Sequence, residues 1–312
     1  MTAVAPTRRP VGDLARRHPL AAFFVLAYAL SWTFWTPYVL SEQGLGIWAF
    51  RFPVVLGSGQ LLGLLPGAFA GPLGSALLLT YVTRGRAGLR TWAARLARWR
   101  IGVRWYAFAV LVLPAVQLAA GLAVPGAVDA VRVPSPLTLM VYLPALVVQV
   151  FTTGLSEEPG WRDFALPRSQ DAYGPLAGTV LLGVLWGCWH LPLMLTEWPH
   201  PGDGPMAVLS FVGGSVLFSI VITWVFNSTG GSLPGAMLVH ASSNNVISVL
   251  WHDVFPGLPD TAVPQATLVA RAVLVVVLVV ATRGTLGWSR PATTDRRHRP
   301  GGDRGSEGRQ GP

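Results

Sequence analysis

The chain reads as an all-α, polytopic membrane protein of about eight transmembrane helices, and three observations carry that reading. Of 312 residues, 52% are apolar and only 12% are charged, about half the roughly 25% charged residues of a soluble domain. Mean hydropathy is +0.49. The apolar residues fall into stretches near the roughly 20 residues needed to cross a bilayer as a helix, and the charges lie mostly between them.

Spans are expected at residues 20–40, 60–82, 105–124, 136–154, 174–195, 206–226, 233–250 and 266–282. The first follows Arg8, Arg9, Arg16 and Arg17. It is too long and too aromatic for a cleaved leader and has no small-residue cleavage site, so it reads as a retained anchor. The second is interrupted by Pro66, Gly67, Gly71, Pro72 and Gly74, a broken backbone that only packing against neighbouring helices can satisfy. Residues 84–104 interleave arginines with Leu89, Trp92, Leu96 and Trp99. That pattern suits an amphipathic helix lying against anionic head groups, and equally a stop-transfer flank. The expected organisation is therefore a segment 1–19, an accessory membrane region 20–135, a core 136–251, a last span within 252–283 and a basic tail 284–312. The tail is rich in Pro, Gly and charge and is expected to be disordered.

All 23 basic residues are arginine, and the net charge is +9. Nucleic-acid binding would need those charges on one contiguous face with polar or aromatic readers beside them. Here they alternate with apolar stretches, so no nucleic-acid partner is expected. Twenty of the 23 fall in the amino-terminal segment, residues 84–104, residues 157–173 and the tail. By the positive-inside tendency both termini are then cytoplasmic, in an inner (plasma) membrane protein with an even number of spans. The single cysteine, Cys188, forms no intrachain disulfide and reads as a packing residue.

Ionisable and amide groups inside spans are costly and mark function by default. They are Glu157, Glu158, Arg162, His190, His240, Asn244, Asn245 and Arg271. If residues 157–170 form a helix that turns at Tyr173-Gly174 and returns antiparallel, Glu157 lies 16 residues before Tyr173 and His190 17 after it. At about 1.5 Å per residue the two then stand at the same height and can touch. His240 and Asn244 share a helix face, as do Trp186 and His190. Ser156 is expected to cap the restarted helix, with Pro159 in its first turn, which would place both glutamates near free N–H groups. Glu158 and Arg162, four apart, read as a structural ion pair that leaves Glu157 free for chemistry. Arg271 is expected to snorkel toward the outer interface.

At these residues the sequence resembles the CPBP family, also called the Abi or CAAX type II peptidases, intramembrane endopeptidases that include the CAAX prenyl proteases. Its EExxxR motif matches Glu157-Glu158-Pro159-Gly160-Trp161-Arg162. Its second motif, an aromatic residue four before His, matches Trp186 and His190; its HxxxN motif matches His240 and Asn244. The text around them, ALPR before YGPL, WGCWHLP and TGGSLPGAMLVHAS, is also similar, and the likeness covers about residues 137–250. Trp186 stands where the usual motif has Phe, and Asp163 where Gly often follows the arginine.

The resemblance implies a core of four helices around a cytoplasm-facing catalytic cavity. It implies that Glu157 and His190 activate water, while His240 and Asn244 polarise the scissile carbonyl and stabilise its oxyanion. A carboxylate base and neutral donors in a water-poor cavity suit those roles. Glu157, His190 and His240 would also make a three-ligand zinc set with an open fourth position. The helical HExxH pattern is absent, and no metal is expected to be obligatory; Zn2+ is the candidate ion if one takes part. The implied partner is a membrane-associated protein or peptide, prenylated or not.

Two other functions compete. A carrier using the buried Glu and His as a proton relay would favour inverted repeats with broken helices, and no internal repeat is read. A non-catalytic scaffold or bacteriocin self-immunity protein could keep the fold, although here every motif residue is retained.

Overall fold

The computed structural model describes residues 15–55, 59–198, 204–259 and 261–289. Within them the protein is all-helical. Helix α1 spans Pro19–Leu40, α2 Leu61–Leu96, α3 Val103–Gly121, α4 Pro136–Tyr173, α5 Pro175–Leu195, α6 Gly204–Ser228 and α8 Ala262–Thr282, and these seven are long and apolar enough to cross a membrane. The predicted seventh stretch also forms a helix, α7 (Leu233–Asn245), extended by a wide turn, Val246–Leu250, and a last turn, Trp251–Val254. It falls short on length and apolarity because its surroundings are protein: all of its 13 residues except Leu238 and Asn244 are buried.

Local chemistry sets the helix ends. Ser135 accepts from the Thr138 N–H at 3.2 Å ahead of Pro136, and Ser232 accepts from the Gly235 N–H at 3.1 Å ahead of Pro234. Each is an N-cap serine followed by a proline whose missing N–H costs the first turn nothing.

Three expectations about continuity are corrected. The fourth span does not end at 154 and restart. Helix α4 is continuous from Pro136 to Tyr173, with wide turns at Val150–Gly154 and Pro159–Ala165. Ser156 is accordingly no cap: its hydroxyl donates back to the Thr153 carbonyl at 3.1 Å, and both glutamates lie mid-helix. The second span likewise runs on through the arginine-rich stretch to Leu96 after a kink at Gly85 (φ 60°), a backbone angle that side chains rarely adopt. Finally, residues 284–289 are ordered. Leu286 is fully buried, and Asn227 donates to its carbonyl at 3.1 Å. The expected disorder of 290–312 and the segment 1–14 lie outside the described residues.

Close helix approach positions the core. A wide turn in α2, Phe69–Gly74, accommodates Pro72, and Gly160 of α4 packs on it; a Cβ at Gly160 would lie 2.6 Å from the Pro72 carbonyl oxygen. Beside α4, the end of α2 is tied down by Arg95, whose Nη2 donates to Asp163 Oδ2 at 3.0 Å. The departure from Gly at position 163 is thus explained as an anchor for the arginine-rich segment. Trp92 and Leu96 of that segment pack on the core, while Arg86, Arg90 and Arg100 are exposed.

Candidate active site

The three motifs lie on α4, α5 and α7 and meet inside the bundle. Glu157, Glu158, Arg162, His190 and His240 are all buried. They form two linked groups.

The first group centres on Trp186. Its indole Nε1–H donates to Glu157 Oε2 at 2.7 Å, and its backbone carbonyl lies 2.9 Å from His190 Nδ1. A carbonyl can only accept, so His190 carries its proton on Nδ1 and presents the lone pair of Nε2. No direct hydrogen bond or ion pair joins Glu157 to His190 among the described residues; the contact expected from their equal heights is made through Trp186. Aromatic side chains enclose His190, with the Trp189 ring at 4.6 Å, Phe211 at 5.2 Å and Trp198 stacked at 5.4 Å.

The second group centres on Glu158. Its Oε2 accepts from Arg162 Nε at 3.0 Å, the ion pair read from the sequence, and its Oε1 accepts from His240 Nδ1 at 2.7 Å. Glu158 is therefore more than the partner of Arg162: it fixes the ring of the third-motif histidine and aims Nε2 away from itself, as carboxylates do for functional imidazoles. Arg162 adds a 2.8 Å hydrogen bond to Ser219 Oγ on α6, and its guanidinium lies over the Trp186 ring at 5.2 Å. The groups join where the Trp186 and His240 rings meet edge-to-face at 5.3 Å.

Asn244 lies one turn beyond His240, half-buried, with no hydrogen-bond partner for its side-chain amide among the described residues. Its neighbour Asn245 is structural, donating to the Tyr142 carbonyl at 3.0 Å and accepting from Gln149 at 3.2 Å, which clamps α7 to α4. Arg271 does not snorkel. It turns inward, donating to the Gly214 carbonyl at 3.2 Å and lying over the Phe218 ring at 4.1 Å.

Several contributors escaped the sequence reading. Helix α1, assigned to the accessory region, braces α5: Trp32 donates to the Trp189 carbonyl at 2.9 Å, Tyr28 donates to the Leu185 carbonyl, and the Trp35 and Trp189 rings lie 4.5 Å apart. Ser219 is hidden within an apolar span, and nothing in its local sequence marks it. Trp186 did carry a signal, as a residue with an N–H where the motif has Phe.

Among the described residues no three His, Cys, Asp or Glu side chains converge as ligands. Glu157 Oε2 is engaged by an indole and His240 Nδ1 by Glu158, which leaves Glu157 Oε1 and the Nε2 atoms of His190 and His240 as the groups available for chemistry.

Residues 139–246 match the family model described as type II CAAX prenyl endopeptidase Rce1-like. Over 88 residues the chain is 27% identical to a Methanococcus maripaludis protein named CAAX prenyl protease 2, an alignment covering 27% of this chain and 32% of that protein. The chain thus matches about a third of the length of that relative. The matched segment includes all three motifs, and the family read from them coincides with the family of the model.

Proposed function

From a membrane-embedded core, residues 139–246, that resembles the type II CAAX prenyl endopeptidases, we propose that this chain is an intramembrane endopeptidase acting on membrane-associated proteins or peptides. The observation that carries the proposal is the burial at one level of the bundle of Glu157 and His190, linked through Trp186, beside His240, held by Glu158.

In the proposed reaction a water molecule lies between Glu157 Oε1 and His190 Nε2. Glu157 takes a proton as the water oxygen attacks the scissile carbonyl carbon. The carbonyl oxygen becomes an oxyanion, stabilised by the Asn244 amide and by His240. As a donor there, His240 must carry protons on both nitrogens, one held by Glu158 Oε1 and one offered to the oxyanion. Collapse of the tetrahedral intermediate breaks the C–N bond, and the proton held by Glu157 passes to the leaving amine. Every step uses side chains of this chain, and none is routed through a metal.

Three further assignments belong to the same proposal. The site and both termini face the cytoplasm, as the arginine distribution favours. The exposed Arg86 and Arg90 of α2, with Arg100 just after it, contact anionic head groups and bring lipid-anchored substrates to the site. Prenylated carboxy-terminal peptides are the first substrates to try, because the matching family is that of the type II CAAX prenyl endopeptidases.

The test is cleavage of a membrane-peptide set, prenylated and plain, by the purified protein in liposomes. Glu157→Gln is expected to lower kcat by on the order of 10^2–10^4-fold, the usual contribution of a general base, with no change in folding. Full activity in that variant would remove the mechanism.

A further inference from the structure

Trp186 makes contacts that its counterpart in the usual form of the motif, phenylalanine, cannot make. Its indole N–H donates to Glu157 Oε2 at 2.7 Å and its carbonyl accepts from His190 Nδ1 at 2.9 Å. The ring is held on several sides, by the Arg162 guanidinium at 5.2 Å, the Phe218 ring at 6.0 Å and the His240 ring at 5.3 Å. It is 3% exposed. A side chain so confined has one rotamer, so its N–H points at one place, and that place is a single oxygen of a buried carboxylate.

We infer that Trp186 is a positioning residue for the general base: its indole N–H occupies Glu157 Oε2 and thereby presents Oε1 to the attacking water. This rests on the peptidase reading of Glu157. The physical case is one of alternatives. A glutamate side chain has three rotatable bonds, and without the Trp186 donor nothing on α5 fixes which carboxylate oxygen faces that helix. With the donor in place the carboxylate plane is set by the same residue whose carbonyl sets the His190 ring. One tryptophan thus registers the base to its histidine across two helices, α4 and α5, that make no direct Glu157–His190 bond. Arg162, stacked over the same indole, gives the first motif a second hold on it.

The experiment compares Trp186→Phe with replacement of Trp186 by benzothienylalanine, which keeps the bicyclic shape and puts sulfur in place of the N–H. Both are expected to lower kcat by about 10–100-fold, the loss of one hydrogen bond to a charged group, with KM unchanged. A packing role would spare the benzothienyl variant, and full kcat there overturns the inference. A second measurement needs no turnover. The indole N–H resonance that disappears in Trp186→Phe is expected to move upfield in Glu157→Ala; an unmoved resonance overturns the hydrogen bond itself. Should Glu157→Gln retain cleavage, the peptidase mechanism falls first, and that result is distinct from a benzothienyl variant that stays active while Glu157→Gln is dead.

Discussion

Helix α7 carries His240, Ser242, Ser243, Asn244 and Asn245 within six residues, whereas α8, next in the chain, runs through valines and leucines and exposes Val269, Val273, Val276, Val277 and Val280. Both belong to one bundle, yet they are solvated differently. Helix α7 is surrounded by α4, α6 and the turns of α3, so its polar groups find protein partners: Asn245 reaches α4, Ser243 accepts from Gln117 of α3, and His240 reaches Glu158. Helix α8 turns its valines to lipid and its one charge, Arg271, inward. The difference teaches that a polar stretch of an intramembrane helix measures how completely the rest of the protein encloses it, and an apolar one how little.

That contrast can be broken most severely at the ion pair under α7. Arg162→Met removes the cation that Glu158 shares with His240 and leaves a buried carboxylate short of partners, which should cost about 3–5 kcal/mol. Unfolding in mixed micelles would read this as a large loss of midpoint, and replacing Glu158 with Gln in the same protein should recover part of it. A midpoint within error of the parent would mean that the pair is wetter than its burial implies. Next in size is Asn245→Ala, which cuts the clamp between α7 and α4. Hydrogen bonds between membrane helices are individually modest, so about 1–2 kcal/mol is expected, read in the same titration. Smallest is Val276→Leu on the lipid face of α8, 63% exposed, where a change within about 0.5 kcal/mol is expected. A larger effect there would show that α8 packs against a further copy or partner and would sharpen the comparison by moving α8 to the protein-solvated class.

Much of the candidate site is legible in the sequence. Glu157, His190, His240 and Asn244 stand out because a charge or amide within an apolar span demands a reason, and the turn at Tyr173-Gly174 let two of them be placed at one height. The Glu158–Arg162 pair follows from i, i+4 spacing alone. Less was readable where the partner comes from a distant helix. That Glu158 also holds His240, 82 residues away, has no local signature, nor has the reach of Arg162 to Ser219. The restart of α4 at Ser156 was a reasonable inference from Ser and Pro, but wide turns absorb Pro159 without ending the helix, so the capping geometry never arises. Arg271 turns inward and not toward the interface, because snorkelling requires lipid around the side chain, whereas a carbonyl and an aromatic ring of α6 lie beside it.

Composition and periodicity by themselves determined that the chain is a helical membrane protein, roughly where its helices run, and which few polar side chains must justify their presence in them, because the transfer cost of a charge into lipid is large and local. Only the tertiary structure decided which of those side chains share a proton acceptor, which way Arg271 turns, and that an indole rather than a direct contact connects Glu157 to His190. Those choices depend on distances of a few tenths of an ångström between helices far apart in the chain, and hydrogen bonds, unlike hydropathy, are decided at that scale.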